Sequence, residues 1–248
     1  MTAAPTRPGP LISFEGGDGV GKTTQIQRLA TVLASARIDY CLTREPGGTE
    51  LGAQIRGLLL HGGAVDPRAE ALLYAADRAQ HVAEVIRPAM ARGAVVLTDR
   101  YLDSSIAYQG AARSLGTAEI RSLSEWATDS LLPDLTILFD AEPSVADRRA
   151  GARGAKDRLE NESAAFRAAL REQFLALAAA EPERFAVIDA RRPIEEVAED
   201  VNQRVAALLM TRPGEVGVET PPWGGALDAH AAFLRAAARM GRTSPGAS

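Results

Sequence analysis

The segment Gly16-Gly17-Asp18-Gly19-Val20-Gly21-Lys22-Thr23-Thr24 follows the apolar run Leu11-Ile12-Ser13-Phe14 and precedes a stretch with Ile26, Leu29, Ala30 and Leu33 on one helical face. It fits G-x-x-x-x-G-K-[ST] at a strand-to-helix junction, the pattern of a phosphate-binding loop. Glycines are needed there because successive backbone N–H groups must point into one concavity, through φ values that side chains disfavour. Lys22 supplies a point charge for the outer phosphates, and Thr23 a hydroxyl for Mg²⁺. The following helix aims its N-terminal dipole at the same anion. Lys22 and Lys156 are the only lysines among 28 basic residues, so arginine is this chain's generic cation.

The rest of the chain fits one α/β layer structure. Apolar runs at 11–14, 40–43, 94–98, 135–139 and 185–188 alternate with helical patterns near 22–36, 50–60, 67–92, 104–110, 117–130, 143–152, 161–180 and 193–210. Continuous rather than alternating apolar strands predict a parallel sheet covered on both faces. The ligand crevice then lies at the carboxyl ends of the strands. Residues 1–10, rich in Pro, Ala and Thr, read as a disordered lead-in, 11–210 as the folded domain, and 211–248 as a Pro/Gly linker, from Arg212 to Gly225, with a possible C-terminal helix. A final helix over 226–240 is expected to carry Leu227, Ala231, Leu234 and Ala238 on one face.

Composition removes several classes of function. A net charge of −4 gives no global field for nucleic acid or membrane. The single cysteine, Cys41, has no partner for an internal disulfide, and three scattered histidines assemble no transition-metal cluster. With no membrane-length apolar run and no signal-peptide core, the expectation is a cytoplasmic protein.

The remaining candidates cluster after strands. Asp99 ends the third strand, where an acid holds the Mg²⁺ shell in phosphate-loop enzymes, and Arg100 next to it offers a fork for phosphate. Tyr74 and Arg78 share a helical face after an Asp66-Pro67 start and suit a stacked base with a hydrogen-bonded edge. The plain alternative is a core tyrosine and a surface arginine, and pattern alone favours it. The same choice applies to Ser105, Tyr108 and Gln109. Arg44-Glu45-Pro46-Gly47-Gly48-Thr49 is a stiff turn, and Arg56 follows on the next helix. Arg148, Arg149, Arg153, Lys156 and Arg158, spaced by Gly151 and Gly154, read as a mobile basic lid over about 148–160 or as a solvated helix with acidic partners.

Taken together, the stretches FEGGDGVGKTT, TREPGGTELG, LLYAADRAQH, DRYLDSSIAYQG and RAGARGAKDRLENES resemble the thymidylate kinases, in order, over roughly 11–209. The resemblance implies a P-loop NTPase fold, a five-stranded parallel sheet with helices on both faces and a mobile lid. It implies ATP and dTMP as substrates, Mg²⁺ as cofactor, and a homodimer. In that reading the loop from Gly16, Gly17, Asp18, Gly19, Val20, Gly21, Lys22, Thr23 to Thr24 binds ATP, and Thr23 and Asp99 hold the metal. Tyr74 stacks on thymine in place of the more usual phenylalanine, and Arg78 bonds a thymine carbonyl. Ser105 and Gln109, with Tyr108, complete the contacts. Arg56 and Arg100 hold the dTMP phosphate, while Glu45 and Asp18 lie near its sugar. The loop carries no arginine, so the catalytic arginine is assigned to Arg153, with Arg149 as the fallback. Another nucleoside monophosphate kinase or deoxynucleoside kinase of the same fold, or a phosphate-loop ATPase or switch, remains the alternative.

Overall fold

The computed structural model describes residues 8–142, 144, 163–212 and 229–241. The lid and its cations Arg148, Arg149, Arg153, Lys156 and Arg158 lie outside the described residues, as do 213–228.

Five strands form one sheet: β1 (Leu11–Glu15), β2 (Tyr40–Arg44), β3 (Val95–Asp99), β4 (Leu135–Asp140) and β5 (Phe185–Asp189). Their order is β2-β3-β1-β4-β5, and every pairing is parallel. Among the described residues the helices are α1 (Lys22–Ser35), α2 (Glu50–His61), α3 (Pro67–His81), α4 (Arg87–Ala91), α5 (Leu102–Ser105), α6 (Thr117–Thr128), α7 (Ala164–Ala180), α8 (Ile194–Met210) and α9 (Ala229–Gly241); the helix expected over 143–152 lies almost wholly outside them. The fold is α/β, as the strand pattern predicts.

The apolar strand runs are continuous because both sheet faces are buried. Ile12, Phe14, Val95, Leu97, Ile137 and Phe139 pack on one side with residues of α1, α8 and α9. Leu11, Val96, Leu138 and Phe185 pack on the other with residues of α3, α5 and α7. In register, Phe14 and Arg44 both pair with Asp99, which brings the carboxyl ends of β1, β2 and β3 level. The loops that leave those ends build the site.

Four sequence expectations change. The single helix expected over 67–92 is interrupted by a π turn at Val82–Ile86, where the Arg87 N–H bonds the Val82 carbonyl. Pro88 explains it, since proline has no N–H and its ring crowds the carbonyl four residues back. The helix expected over 104–110 likewise continues from α5 as a π segment, Ile106–Ala112. Gly9 and Pro10 are buried rather than part of a lead-in: the Gly9 N–H bonds the Met90 carbonyl, and Val96 donates to the Pro10 carbonyl. α9 docks on α1 and α8, but through Ala232, Phe233 and Ala236, whereas Leu234 and Ala238 face solvent. The expected face omitted Phe233, which is fully buried and anchors the helix.

Candidate active site

The phosphate loop fills the β1–α1 junction. Gly16, Gly19 and Gly21 have φ of 128°, 80° and 101°, values that a side chain strains to adopt. A Cβ on Gly16 would also stand 2.5 Å from the Phe139 carbonyl oxygen. Lys22 opens α1 with its side chain buried, and its Nζ donates to the carbonyls of Gly16 (2.9 Å) and Gly17 (2.7 Å). Burial and the neighbouring Arg100 push the Lys22 ammonium down to about 8, against the opposing pull of Asp18, Asp99 and Glu15. Thr23 Oγ1 donates to Asp99 Oδ2 at 3.4 Å, so the two residues expected to hold a metal already adjoin. A hydroxyl and a carboxylate are hard oxygen donors that fit Mg²⁺, which usually takes one or two such protein ligands beside phosphate and water.

Beside the loop lies a pocket lined by Asp18, Glu45, Arg56, Tyr74, Arg78, Arg100, Ser105, Tyr108 and Gln109, with Pro46, Leu60, Tyr101 and Ser104 completing it. These side chains come from the phosphate loop, the β2–α2 turn, α2, α3, the end of β3, α5 and the π segment that follows it. The pocket therefore gathers every residue that the sequence assigned to the acceptor.

Arg100 joins the two regions. It sits at φ 71°, outside the ordinary range for a side-chain-bearing residue, at the strand end where strain of this kind is typical of functional sites. Its Nη1 donates to the Gly16 carbonyl (3.2 Å) and Ser104 Oγ (3.0 Å), and its Nη2 to Asp18 Oδ1 (2.5 Å). The guanidinium also lies 5.1 Å from the Tyr108 ring centre, and Tyr108 donates its hydroxyl to Asp18 Oδ2 at 3.2 Å. Burial raises the Asp18 carboxyl, but Arg100 and Lys22 outweigh it and hold the group below the usual carboxylate range. Asp18 is thus an anion at neutral pH.

Arg78 is a buried cation, not a surface one, with 1% of its area exposed. Nε donates to Glu45 Oε2 (2.8 Å), Nη1 to Ser124 Oγ (3.2 Å), and Nη2 to the Tyr101 carbonyl (3.3 Å) and Ser105 Oγ (3.0 Å). The other Glu45 oxygen, Oε1, bonds His81 Nδ1 at 2.9 Å. Glu45, expected near the sugar, therefore has both oxygens engaged and acts on the pocket through Arg78. Tyr74 packs with Ile55, Leu59 and Leu60 while lining the pocket, so it is at once a core residue and a pocket wall. Gln109 is buried and donates through Nε2 to Glu70 Oε1 at 2.8 Å, which fixes its amide orientation. Arg56 Nη1 donates to the Pro46 carbonyl at 3.0 Å.

The thymidylate kinase family model matches residues 14–201. The chain is 56% identical over 207 residues to a thymidylate kinase of Leifsonia xyli subsp. xyli, covering 83% of this chain and 98% of that protein. It is 57% identical over 203 residues to one from Clavibacter michiganensis subsp. michiganensis, covering 81% and 96% respectively. The chain belongs to the thymidylate kinase family. The family match stops before α9, so the helix anchored by Phe233 lies outside it.

Sequence reading missed several buried polar residues around this pocket. Glu15, the last residue of β1, is buried and accepts from the Tyr101 N–H (2.8 Å) and Ser104 (2.6 Å). Burial and Asp103 push its carboxyl up to about 8, although Ser104 and Arg100 oppose the shift. Glu70, His81, Ser124 and Asp77 are buried as well. A signal existed for His81, which follows Arg78 at helical spacing, and for Glu15, a charged residue ending an apolar strand.

Proposed function

We propose that the protein transfers the γ-phosphoryl group of ATP to dTMP, giving dTDP and ADP. The observation that carries this reading is the sharing of Asp18 and Arg100 between the phosphate loop and the adjoining pocket. An oxygen of the acceptor phosphate attacks the γ-phosphorus, the bond from that phosphorus to the bridging oxygen breaks, and ADP leaves. No protein nucleophile is needed. Lys22 and Arg100 supply fixed positive charge where negative charge is redistributed, and their burial makes that charge effective. Mg²⁺, held by Thr23 and Asp99, supplies further charge neutralisation at the phosphates when bound.

In the pocket, Tyr74 stacks on the thymine ring, with Arg78, Ser105 and Gln109 facing its edge. Arg56 and Arg100 hold the monophosphate, and Asp18 with Tyr108 lies near the sugar. Arg153, or failing it Arg149, is proposed as the lid arginine. A homodimer belongs to the same proposal, supported by the exposed Leu58, Leu72 and Trp126 on α3 and the two helices that pack on it, α2 and α6. So does a cytoplasmic location; among the described residues no helix is long and apolar enough to cross a membrane.

An acceptor panel tests the specificity. dTMP is expected to be preferred over dUMP by a factor of roughly five to ten, because one methyl group contributes only about 1 kcal/mol of discrimination. Equal rates with dTMP, UMP and CMP contradict the base assignment. A pH profile tests Lys22 separately. The ammonium is charged below its value of about 8 and neutral above it. In the free enzyme, kcat/KM for ATP is therefore expected to fall as pH rises through that value. A profile for ATP that stays flat well above that value contradicts the role.

A further inference from the structure

Asp77, on α3 beside Arg78, touches nothing in the reaction yet is fully buried. Its Oδ1 accepts the Gly47 N–H at 3.0 Å. Its Oδ2 has no hydrogen-bond partner among the described residues. The turn it grips is fitted tightly from two sides. A Cβ on Gly52 of α2 would stand 2.3 Å from Asp77 Oδ1, and one on Gly48 would stand 2.5 Å from the His81 ring. Gly47 itself has φ 108° and packs on the Arg56 side chain. Arg56 in turn donates to the Pro46 carbonyl of the same turn.

We propose that Asp77 is a positioning residue for the acceptor: its carboxylate holds the Glu45-Pro46-Gly47-Gly48 turn, and through it Arg56, in the geometry that binds the monophosphate. The proposal rests on the reading of the pocket as the dTMP site. Orphaning one carboxylate oxygen in the interior costs stability, and positions where stability is given up are typical of functional sites. Burial and Glu45 push the Asp77 carboxyl up to about 6, opposed by the Gly47 N–H, His81 and Arg78. Glu45, His81 and Arg78 are the charged groups acting on it, and α2 meets its Oδ1 at Gly52. The grip on Gly47 is therefore charge-assisted above that value and neutral below it.

The test compares wild type with Asp77→Asn across that pH range, reading KM for dTMP, KM for ATP, kcat and inhibition by thymidine, which lacks the phosphate. At about pH 8 the variant is expected to raise KM for dTMP by roughly five-fold, the factor separating a charge-assisted from a neutral hydrogen bond. Inhibition by thymidine, KM for ATP and kcat are expected to stay unchanged. The KM difference should vanish at about pH 5, where the wild-type carboxyl is protonated. Because the folded-state pKa is raised, wild-type stability falls as pH rises from about 4 to about 6, so the variant's Tm should gain on wild type over that window. A plain structural support gives the opposite, a pH-independent loss of Tm and kcat, and overturns the proposal. So does a KM ratio that ignores pH, or an equal effect on thymidine. Arg56→Ala separates the two layers: if it leaves dTMP binding intact, the pocket reading fails and the proposal with it. If it weakens dTMP but not thymidine, the Asp77 result stands on its own.

Discussion

Lys22→Ala is expected to lower kcat by roughly two to three decades, since removing one preorganised stabiliser of transition-state charge costs about 3 to 4 kcal/mol. The side chain is buried and held by two loop carbonyls, so its charge is fixed in direction before substrate arrives. Fixed charge in a site of low polarity is worth far more than a mobile surface lysine. Binding of dTMP should be unaffected, because Lys22 does not line the acceptor pocket. Single-turnover kinetics with saturating ATP check the first point, and equilibrium binding of dTMP the second. A loss confined to KM for ATP contradicts the assignment, because it makes Lys22 a ground-state binder.

Glu45→Ala is expected to cost about 3 to 5 kcal/mol of stability, the usual result of leaving one member of a buried ion pair without the other. Arg78 and Glu45 are 1% and 2% exposed and 2.8 Å apart, so the guanidinium loses a buried counter-charge. At ~2–4 °C per kcal/mol for a chain of this size, Tm should fall by about 10 °C. Glu45 also bonds His81, which loses the same partner. Thermal and urea unfolding of Glu45→Ala, Arg78→Ala and the double variant check the pair. The double variant should be markedly more stable than the sum of the single losses implies. Strict additivity contradicts the coupling.

The sheet and the grouping of the candidate pocket residues were legible where each depended on a local rule. The strands betray themselves as continuous apolar runs, and Gly16, Lys22 and Asp99 sit where strand ends must present them. Tyr74, Arg78, Ser105 and Gln109 could be named from the sequence, but pattern alone favoured a core tyrosine and a surface arginine. Tyr74 is indeed a core residue, but burial reversed the reading of Arg78: Glu45 lies 33 positions before it, and only the fold brings its carboxylate to the guanidinium. Glu15, Glu70 and Asp77 were missed for the same reason. A buried acid has no periodic signature, and its partners arrive from distant elements. Phe233 was missed differently: the face of α9 that docks is set by the groove between α1 and α8, not by the helix's own pattern.

The most direct measurement is ADP release from ATP in the presence and absence of dTMP. With Asp18 and Arg100 shared by the phosphate loop and the pocket, ADP formation should depend on dTMP and match dTDP formation one for one. ADP released at the same rate without any acceptor would make the loop that of an ATPase or switch, and would contradict the two-substrate site.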